Sequence, residues 1–212
     1  MKILFFTDAH NSDTSPLMRT ASYCEDILKK QEQLVEPAKR CDLVICGGDV
    51  FHQKKTHKVS YYLVNRIMEI YREFPRLYIV PGNHDIDTVM DWSDRPLGTL
   101  GKLPNIHVFH EEIVHFGGCN LWCFGGGEFF SLDSLKLFVE KNEPAHVGTN
   151  IAVLHAAVAE KVGRYKFPII SPTVLDSHNV FDLFLLGHLH DYQVQHAKMV
   201  APGALSRGVL NI

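Results

Sequence analysis

The chain has 212 residues, of which 46% are hydrophobic and 21% are charged, a composition that fits one folded domain over residues 1–212 and excludes a mainly disordered chain. The formal net charge of -3 at pH 7 argues against a uniformly basic surface for nucleic acid. No apolar stretch reaches membrane-spanning length and the N-terminus lacks signal-peptide features, so we expect a cytoplasmic protein with no membrane partner.

Predicted strands and helices alternate in the first half of the chain. Apolar runs predict strands over residues 3–7, 43–46 and 77–80. Helical spacing of apolar residues predicts helices over residues 17–38, ending near Pro37, and 59–74. A mixed, turn-rich segment follows over residues 91–104.

Strands dominate the second half. A helix is predicted over residues 131–140, and strands are predicted over residues 106–109, 113–116, 121–124, 151–154, 183–186, 192–196 and 199–201. Strand–helix–strand units followed by a strand-rich half predict a layered α/β fold, with one mixed sheet or two packed sheets flanked by helices.

The five cysteines show no disulfide framework. Their number is odd and their spacing is irregular, so reduced thiols are expected. Cys119 and Cys123 have two readings, half of a zinc site or small hydrophobes of a buried strand. The surrounding apolar run CNLWCF favours the second reading.

Polar clusters follow five of the apolar runs. In chain order they are Asp8-Ala9-His10, Gly47-Gly48-Asp49-Val50-Phe51-His52, Gly82-Asn83-His84-Asp85, His155, and Gly187-His188-Leu189-His190. Ligand sites of layered α/β proteins lie beyond the carboxyl ends of strands, so five neighbouring strands would bring these clusters into one crevice. Taken singly, each residue could be a turn residue, a helix cap or a hydrogen-bonded structural histidine.

Carboxylates and neutral imidazoles together suit a pair of divalent transition-metal ions. A carboxylate can bridge two such ions, which activate a water and clamp the oxygens of a phosphoryl group. Bound cations would also change the local field, so the negative net charge does not exclude a nuclease.

The ordered motifs D-x-H, G-D, G-N-H-D, a lone His and G-H-x-H resemble those of the calcineurin-like metallophosphoesterases, from Asp8 to His190. The resemblance implies a fold of two packed mixed β-sheets flanked by helices. It implies one ion on Asp8, His10 and His190, a bridging Asp49, and a second ion on Asn83, His155 and His188. His84 would contact the phosphate as general acid or transition-state stabiliser, and Asp85 would orient His84 by a hydrogen bond.

The block Gly48-Asp49-Val50-Phe51-His52 lacks the Asp and Arg of the phosphatase pattern G-D-x-x-D-R-G. It resembles instead the SbcD-type nuclease branch of DNA double-strand-break repair, as do residues 80–85 and 201–207. That branch implies a manganese-dependent exonuclease or endonuclease, with iron, zinc or magnesium as other candidate ions, and a His52 that positions the nucleotide. A structural loop histidine is the alternative for His52.

The branch also implies partners. Helix 59–74 is apolar beyond a single stripe, which suggests a homodimer contact or cover by residues 91–104. Residues 53–58 form a basic run that could touch a DNA backbone or be a solvated loop. Relatives carry a DNA-capping domain and a segment for an SbcC-type ATPase after the core. We therefore expect this chain to be a truncated or minimal form, located in the host cytoplasm if encoded by a phage.

Two other functions remain open from sequence. The same dinuclear site could hydrolyse a small nucleotide or another small ester. The fold could also be a non-catalytic scaffold for protein partners, which predicts eroded ligands. All nine expected metal and phosphate residues are present, which disfavours the scaffold.

Overall fold

The structure is a computed structural model of the chain, described over residues 1–16, 22–53, 58–86, 92–124, 126, 131–142, 148–159, 169–191 and 197–205. The start of the first predicted helix, most of the basic run 53–58 and the predicted strand 192–196 lie outside these residues.

The described residues form nine strands and five α-helices. The strands are β1 (Ile3–Phe6), β2 (Leu43–Cys46), β3 (Leu77–Ile79), β4 (Ile106–Val108), β5 (Glu112–Phe116), β6 (Cys119–Phe124), β7 (Thr149–His155), β8 (Leu183–Gly187) and β9 (Met199–Val200). The helices are α1 (Tyr23–Ala38), α2 (Tyr61–Arg72), α3 (Pro96–Leu100), α4 (Leu132–Lys141) and α5 (Pro172–Asp176), and a 3-10 turn spans Trp92–Asp94.

Serine caps decide where the long helices begin. Ser22 accepts from the backbone N–H of Glu25 at the start of α1, and Ser60 accepts from that of Leu63 at the start of α2. Each cap satisfies an amide that the first helical turn leaves free. Helix α2 is two residues shorter at each end than predicted, and Ser60 sets its start. None of the helices among the described residues combines the length and apolarity needed to cross a membrane.

The strands form two sheets, as predicted. The first contains β1 to β4 in chain order, and the second contains β5 to β9 in chain order. All neighbours in the first sheet are parallel, so this sheet is not mixed; helical crossovers return the chain in the same direction after each strand. The second sheet is mixed because the tight turn at Gly117-Gly118, both at positive φ, makes β5 and β6 antiparallel.

The two sheets pack face to face with helices outside, giving four layers. Alternate residues of β2 face opposite ways: Leu43 and Ile45 lie in the core between the sheets, whereas Val44 and Cys46 face α1 and α2. On the second sheet, Ile151 and Val153 face the first sheet. A third cluster, including Ala152, Leu154 and residues of α4 and α5, fills the outer face.

The cysteine prediction agrees with this packing. All five thiols are free, and Cys119 and Cys123 pack into the core between the sheets. Burial raises the pKa of the Cys123 thiol well above its ordinary value, which keeps the thiol neutral.

Candidate metal centre

The site lies where the carboxyl edges of the two sheets meet. From the sequence, the ligands would converge if the five strands that carry them were neighbours. The structure divides them instead, with β1, β2 and β3 in the first sheet and β7 and β8 in the second. Face-to-face packing still brings the following loops together, so all nine predicted metal and phosphate residues, with His52, converge at one edge.

The first ligand group contains Asp8, His10 and His190, whose ligand atoms lie within 4.8 Å of one another. Asp8 Oδ1 is 3.6 Å from both His10 Nε2 and His190 Nε2. The two imidazole nitrogens are 2.9 Å apart. Asp8 and His10 are buried and His190 is exposed, so this group opens to solvent on one side.

The second ligand group contains Asp49, His155 and His188. His188 Nδ1 lies 3.3 Å from His155 Nε2. Asn83 completes the group, because its Oδ1 is 3.1 Å from His155 Nε2 and 2.9 Å from His188 Nδ1. This group is more deeply buried than the first, and its four donor atoms point at one small space.

Asp49 joins the two groups through a single oxygen. Asp49 Oδ2 is 3.5 Å from His10 Nε2 and 3.4 Å from His155 Nε2. Its other oxygen, Oδ1, accepts from the backbone N–H of His84 at 2.8 Å. One oxygen is thus fixed by the backbone and the other is shared between the groups, as expected of a bridging ligand.

The donor set fits two divalent ions. Asp8 Oδ1 is buried and has no hydrogen-bond partner among the described residues, although a buried carboxylate oxygen is costly without one. Facing imidazole nitrogens and carboxylate oxygens form a cage of electron-pair donors, which a cation satisfies better than hydrogen bonds between them. Asp8, His10 and His190 with Asp49 would hold one ion, and Asn83, His155 and His188 with Asp49 the other.

Hydrogen bonds to the remaining atoms of the ligands set their orientation. Asp8 Oδ2 accepts from the Thr7 hydroxyl at 2.6 Å and from the His188 backbone N–H at 3.0 Å, which turns Oδ1 toward the first group. His155 Nδ1 donates to the Gly47 carbonyl at 2.7 Å. The Nε2 of His155 is therefore the atom left to bind an ion.

The loops that carry the ligands have unusual backbones. Asp8, His10, Asp49 and His188 all have φ between 46° and 87°, a region that residues with side chains seldom adopt. Each such residue costs of order 1–3 kcal/mol and persists only where its surroundings fix it. Gly82 approaches the bridging residue so closely that a Cβ there would overlap the Asp49 carboxylate.

Electrostatics within the centre separate the carboxylates from the histidines. Burial alone would raise the pKa of Asp49, but His155 and His10 outweigh burial and hold the pKa well below its usual value. Asp8 shifts in the same direction, with His10 and His155 outweighing burial. Burial would lower the pKa of His155, but Asp49 raises it to about 10. Without ions, the positive charge of a protonated His155 partly neutralises the Asp49 carboxylate.

His52 and His84 form the rim of the site. Their rings stack with centroids 5.2 Å apart, and His84 Nδ1 donates to the His52 carbonyl at 2.8 Å. His84 Nε2 is therefore the ring atom that remains for a substrate. Burial, with His10 and His84 nearby, lowers the pKa of His52 to about 4, so its ring is neutral at pH 7.

Asp85 has a different role from the one expected. Its carboxylate accepts from the backbone N–H groups of Val50, Phe51 and Gly82 at 3.0–3.2 Å. We expected Asp85 to orient His84 by a hydrogen bond, and this expectation is wrong. The His52 carbonyl orients His84 instead. Burial and the charge of Asp49 raise the pKa of Asp85 to about 7. Asp85 joins the loop after β2 to the loop after β3.

The residues that support the ligands were not predicted from the sequence. Thr7 and the Gly47 carbonyl hold Asp8 and His155, and a buried Asn11 and Gln31 lie behind His10. Only Gln31 left a signal in the sequence, because it follows Tyr23 and Ile27 at four-residue spacing on the apolar face of α1.

Solved structures with the same fold are similar over nearly the whole chain. A protein from Thermus thermophilus is 17% identical with a TM-score of 0.63, covering 97% of this chain and 90% of its own. Calcineurin-like phosphoesterase YfkN from Bacillus subtilis is 12% identical with a TM-score of 0.61, covering 97% and 81%. A 5'-nucleotidase precursor from Thermus thermophilus is 14% identical with a TM-score of 0.54, covering 96% and 45%.

At these identities the similarity establishes the fold alone. No curated protein gives a significant match. The sequence model of one family, described as calcineurin-like phosphoesterase, matches residues 1–192. Together with the two-sheet fold, this match shows that the chain belongs to the calcineurin-like phosphoesterase family.

Proposed function

We propose that this protein is a two-metal phosphodiesterase that cuts DNA. The observation that carries the proposal is the position of Asp49 Oδ2, within 3.5 Å of ligand nitrogens in both groups. A shared carboxylate oxygen is the feature that a dinuclear centre needs and that a single-ion site does not. Family membership supports the wider class, a metal-dependent phosphoester hydrolase.

When bound, the two ions supply Lewis-acid activation of a water and charge stabilisation of the phosphoryl group. Manganese is the proposed ion, because mixed imidazole and carboxylate ligands suit it; iron, zinc and magnesium are the other candidates. The side chains of the chain hold the ions, with Asp49 as bridge. The backbone bonds to Asp8 and Asp49 keep both carboxylates aimed inward before any ion arrives.

His84 is the proposed catalytic group nearest the leaving oxygen. Its Nδ1 is committed to the His52 carbonyl, so its Nε2 is the atom that would hold a proton toward the substrate. It is half-buried at the rim, whereas the ligands Asp49 and His155 lie beneath it. Proton donation by a positioned histidine typically contributes about 10²–10⁴-fold to rate.

DNA is proposed as the substrate on two grounds. The block Gly48-Asp49-Val50-Phe51-His52 resembles the nuclease branch, and His52 stands exposed beside His84 where a nucleotide next to the scissile phosphate would lie. The exposure of both His52 and His190 leaves the rim open, which suits a long chain entering from the surface.

A small nucleotide ester is the second candidate substrate. The same centre would cleave it, and the fold similarity to a 5'-nucleotidase precursor is the observation in its favour. The two candidates differ in the size of substrate accepted and share the metal chemistry.

The test compares two substrates under the same conditions. The protein is incubated with manganese and either end-labelled duplex DNA or bis-p-nitrophenyl phosphate. We expect both to be cleaved, with EDTA and the Asp49→Asn variant abolishing both reactions. Asp133→Asn, which removes an exposed carboxylate on α4, is the matched control and should retain full activity. Cleavage of the small ester with intact DNA would replace the first candidate with the second.

We further propose a single cytoplasmic domain over residues 1–212 and a homodimer through α2. Leu63, Ile67 and Ile70 of α2 face the core, and Leu97 and Leu100 belong to the same core cluster. The tyrosines at its start, Tyr61 and Tyr62, are 90% and 52% exposed and form the apolar surface left for a second copy. An SbcC-type ATPase remains a proposed partner by resemblance. Sedimentation of the purified chain at high concentration tests the dimer, which a monomer mass would exclude.

A further inference from the structure

We propose that a buried polar network positions the ligands of the first ion: Gln31 and Tyr71 act through Asn11, and Tyr23 of the same helix as Gln31 acts directly on His10. The network lies behind the site, between the first sheet and helices α1 and α2. The inference rests on the proposed function, because it takes Asp8, His10, Asp49 and His190 as the ligands of that ion.

Gln31 is the centre of the network. It is a fully buried amide on the face of α1 that also buries Ile27 and Leu28. Its Nε2 donates to Asn11 Oδ1 at 2.7 Å and to the Ile27 carbonyl at 3.1 Å. Its Oε1 accepts from the Tyr71 hydroxyl of α2 at 2.7 Å. A leucine or methionine would fill this position without the cost of burying an amide, so packing alone does not explain a glutamine here.

Asn11 carries the network to the loops that hold the ligands. Its Nδ2 donates to the Val50 carbonyl at 2.7 Å, and its backbone N–H donates to the same carbonyl at 2.9 Å. The Asn11 carbonyl accepts from the His52 N–H at 3.0 Å. The side chain of Asn11 thus fixes the loop after β1 against the loop after β2.

Tyr23 reaches the ligand residue itself. Its hydroxyl donates to the His10 carbonyl at 3.0 Å from the first turn of α1. His10 and Asp49 both have positive φ, and the His10 N–H donates to the Asp49 carbonyl at 2.9 Å. Residues at positive φ keep this conformation only where neighbouring groups fix it. Tyr23 fixes the carbonyl of His10, and Asn11 fixes the carbonyl of Val50, the residue after Asp49.

The network acts unequally on the two ions. Tyr23 contacts His10, a ligand of the first ion only, and Asn11 contacts Val50, the residue after the bridging Asp49. His155 and His188, which would hold the second ion, belong to the other sheet and are oriented by the Gly47 carbonyl and by Asn83. Loss of the network should therefore weaken the first ion more than the second.

The experiment measures manganese affinity by calorimetric titration of the full chain. The variants are Gln31→Met, which conserves volume, and Tyr23→Phe, which removes only the hydroxyl. Titrations in the wild-type background give both ions, and titrations in the His188→Ala background isolate the first. The matched control is Asn142→Ala, which removes an amide that donates to the Phe138 carbonyl at the end of α4, on the outer face of the second sheet.

We expect Gln31→Met and Tyr23→Phe to weaken the first ion about tenfold, the lower end of the usual effect of partners that orient metal ligands, and to leave the second within about twofold. Asn142→Ala should change neither affinity. Unaltered affinity of both ions in Gln31→Met and Tyr23→Phe, with only a lower unfolding temperature, would overturn the inference while leaving the dinuclear centre intact. A wild-type protein that binds no manganese would overturn the proposed function and the inference with it.

Discussion

The two sheets contribute to the centre in different ways. The loops after β1 and β2 are joined by backbone hydrogen bonds, from Asp8 to Gly48, His10 to Asp49 and Asn11 to Val50. The histidines of the second sheet reach the centre through contacts with side chains and with the Gly47 carbonyl. The first sheet therefore presents its ligands in a preformed arrangement, whereas the ligands of the second sheet complete the cage and depend more on the ions.

The largest expected effect comes from Asp49, which contacts ligand histidines from both sheets. Asp49→Asn leaves the preformed loops in place but removes the charge shared by both ligand groups. We expect loss of both ions in inductively coupled plasma analysis and loss of detectable phosphodiesterase activity. Retention of two ions per chain by this variant would show that the centre does not need a bridge.

The second prediction concerns His84, and asks whether the rim of the site acts in catalysis without binding the ions. His84→Ala removes the ring whose Nε2 is proposed to face the substrate but leaves the Asp49 contact, which involves the His84 backbone. We expect a fall of about a hundredfold in kcat with both ions retained. An ion content below two per chain would place His84 among the ligands instead.

The third prediction concerns the ion-free protein and the second sheet. The pKa of His155 is raised to about 10 in the folded state, above the ordinary 6.5. A raised pKa contributes stability that is complete below about pH 6.5 and is lost as pH rises through about 10. Chemical unfolding in EDTA should therefore show a falling free energy of unfolding between about pH 7 and pH 10.

His155→Gln is the control for that measurement. The pKa of Asp85 is raised to about 7, and those of His52 and His188 are lowered to about 4, so these groups titrate mainly below the window from pH 7 to pH 10. The variant should show a shallower fall over this range, because His10, Cys46 and Cys123, whose pKa values are also raised, still contribute. An equally steep fall in the variant would assign the pH dependence to another group.

The smallest expected effect compares the ligand loops of the two sheets by their amide exchange rates and needs no mutation. Hydrogen exchange of the His10 and Asn11 amides, which bond to backbone carbonyls, should change little when EDTA removes the ions. The His188 amide donates to the Asp8 carboxylate and should exchange severalfold faster. Equal acceleration at all three amides would contradict the view that the first sheet is preformed.

The fold was largely predictable because buried strands and amphipathic helices leave periodic patterns. Residues 43–46 and 151–154 fall within observed strands, and the resemblance to the calcineurin-like metallophosphoesterases implied the two-sheet architecture. The short helices α3 and α5 were missed, since five residues are too few to establish a helical period. The division of five strands between two sheets was also missed, because pairing depends on long-range packing.

The candidate site was predictable in its residues and less so in their contacts. Asp8, Asn83 and His188 stood out because polar residues after apolar runs are conspicuous. The hydrogen-bond partners of Asp85 were not evident from the sequence. Asp85 directly follows His84, but the turn at Gly82 directs its carboxylate to backbone amides instead. Thr7 and Asn11 were overlooked, since hydroxyl and amide residues in loops are common.

Leu205 donates its backbone N–H to the Thr7 carbonyl at 3.0 Å, and its own carbonyl accepts from Lys30 Nζ at 3.2 Å. The chain that follows β9 is thus fastened one residue before Asp8. A displacement of the backbone at Leu205 would be transmitted to Thr7, the residue directly before the first-ion ligand Asp8. A tag or fusion attached after Leu205 would therefore be linked mechanically to the metal centre.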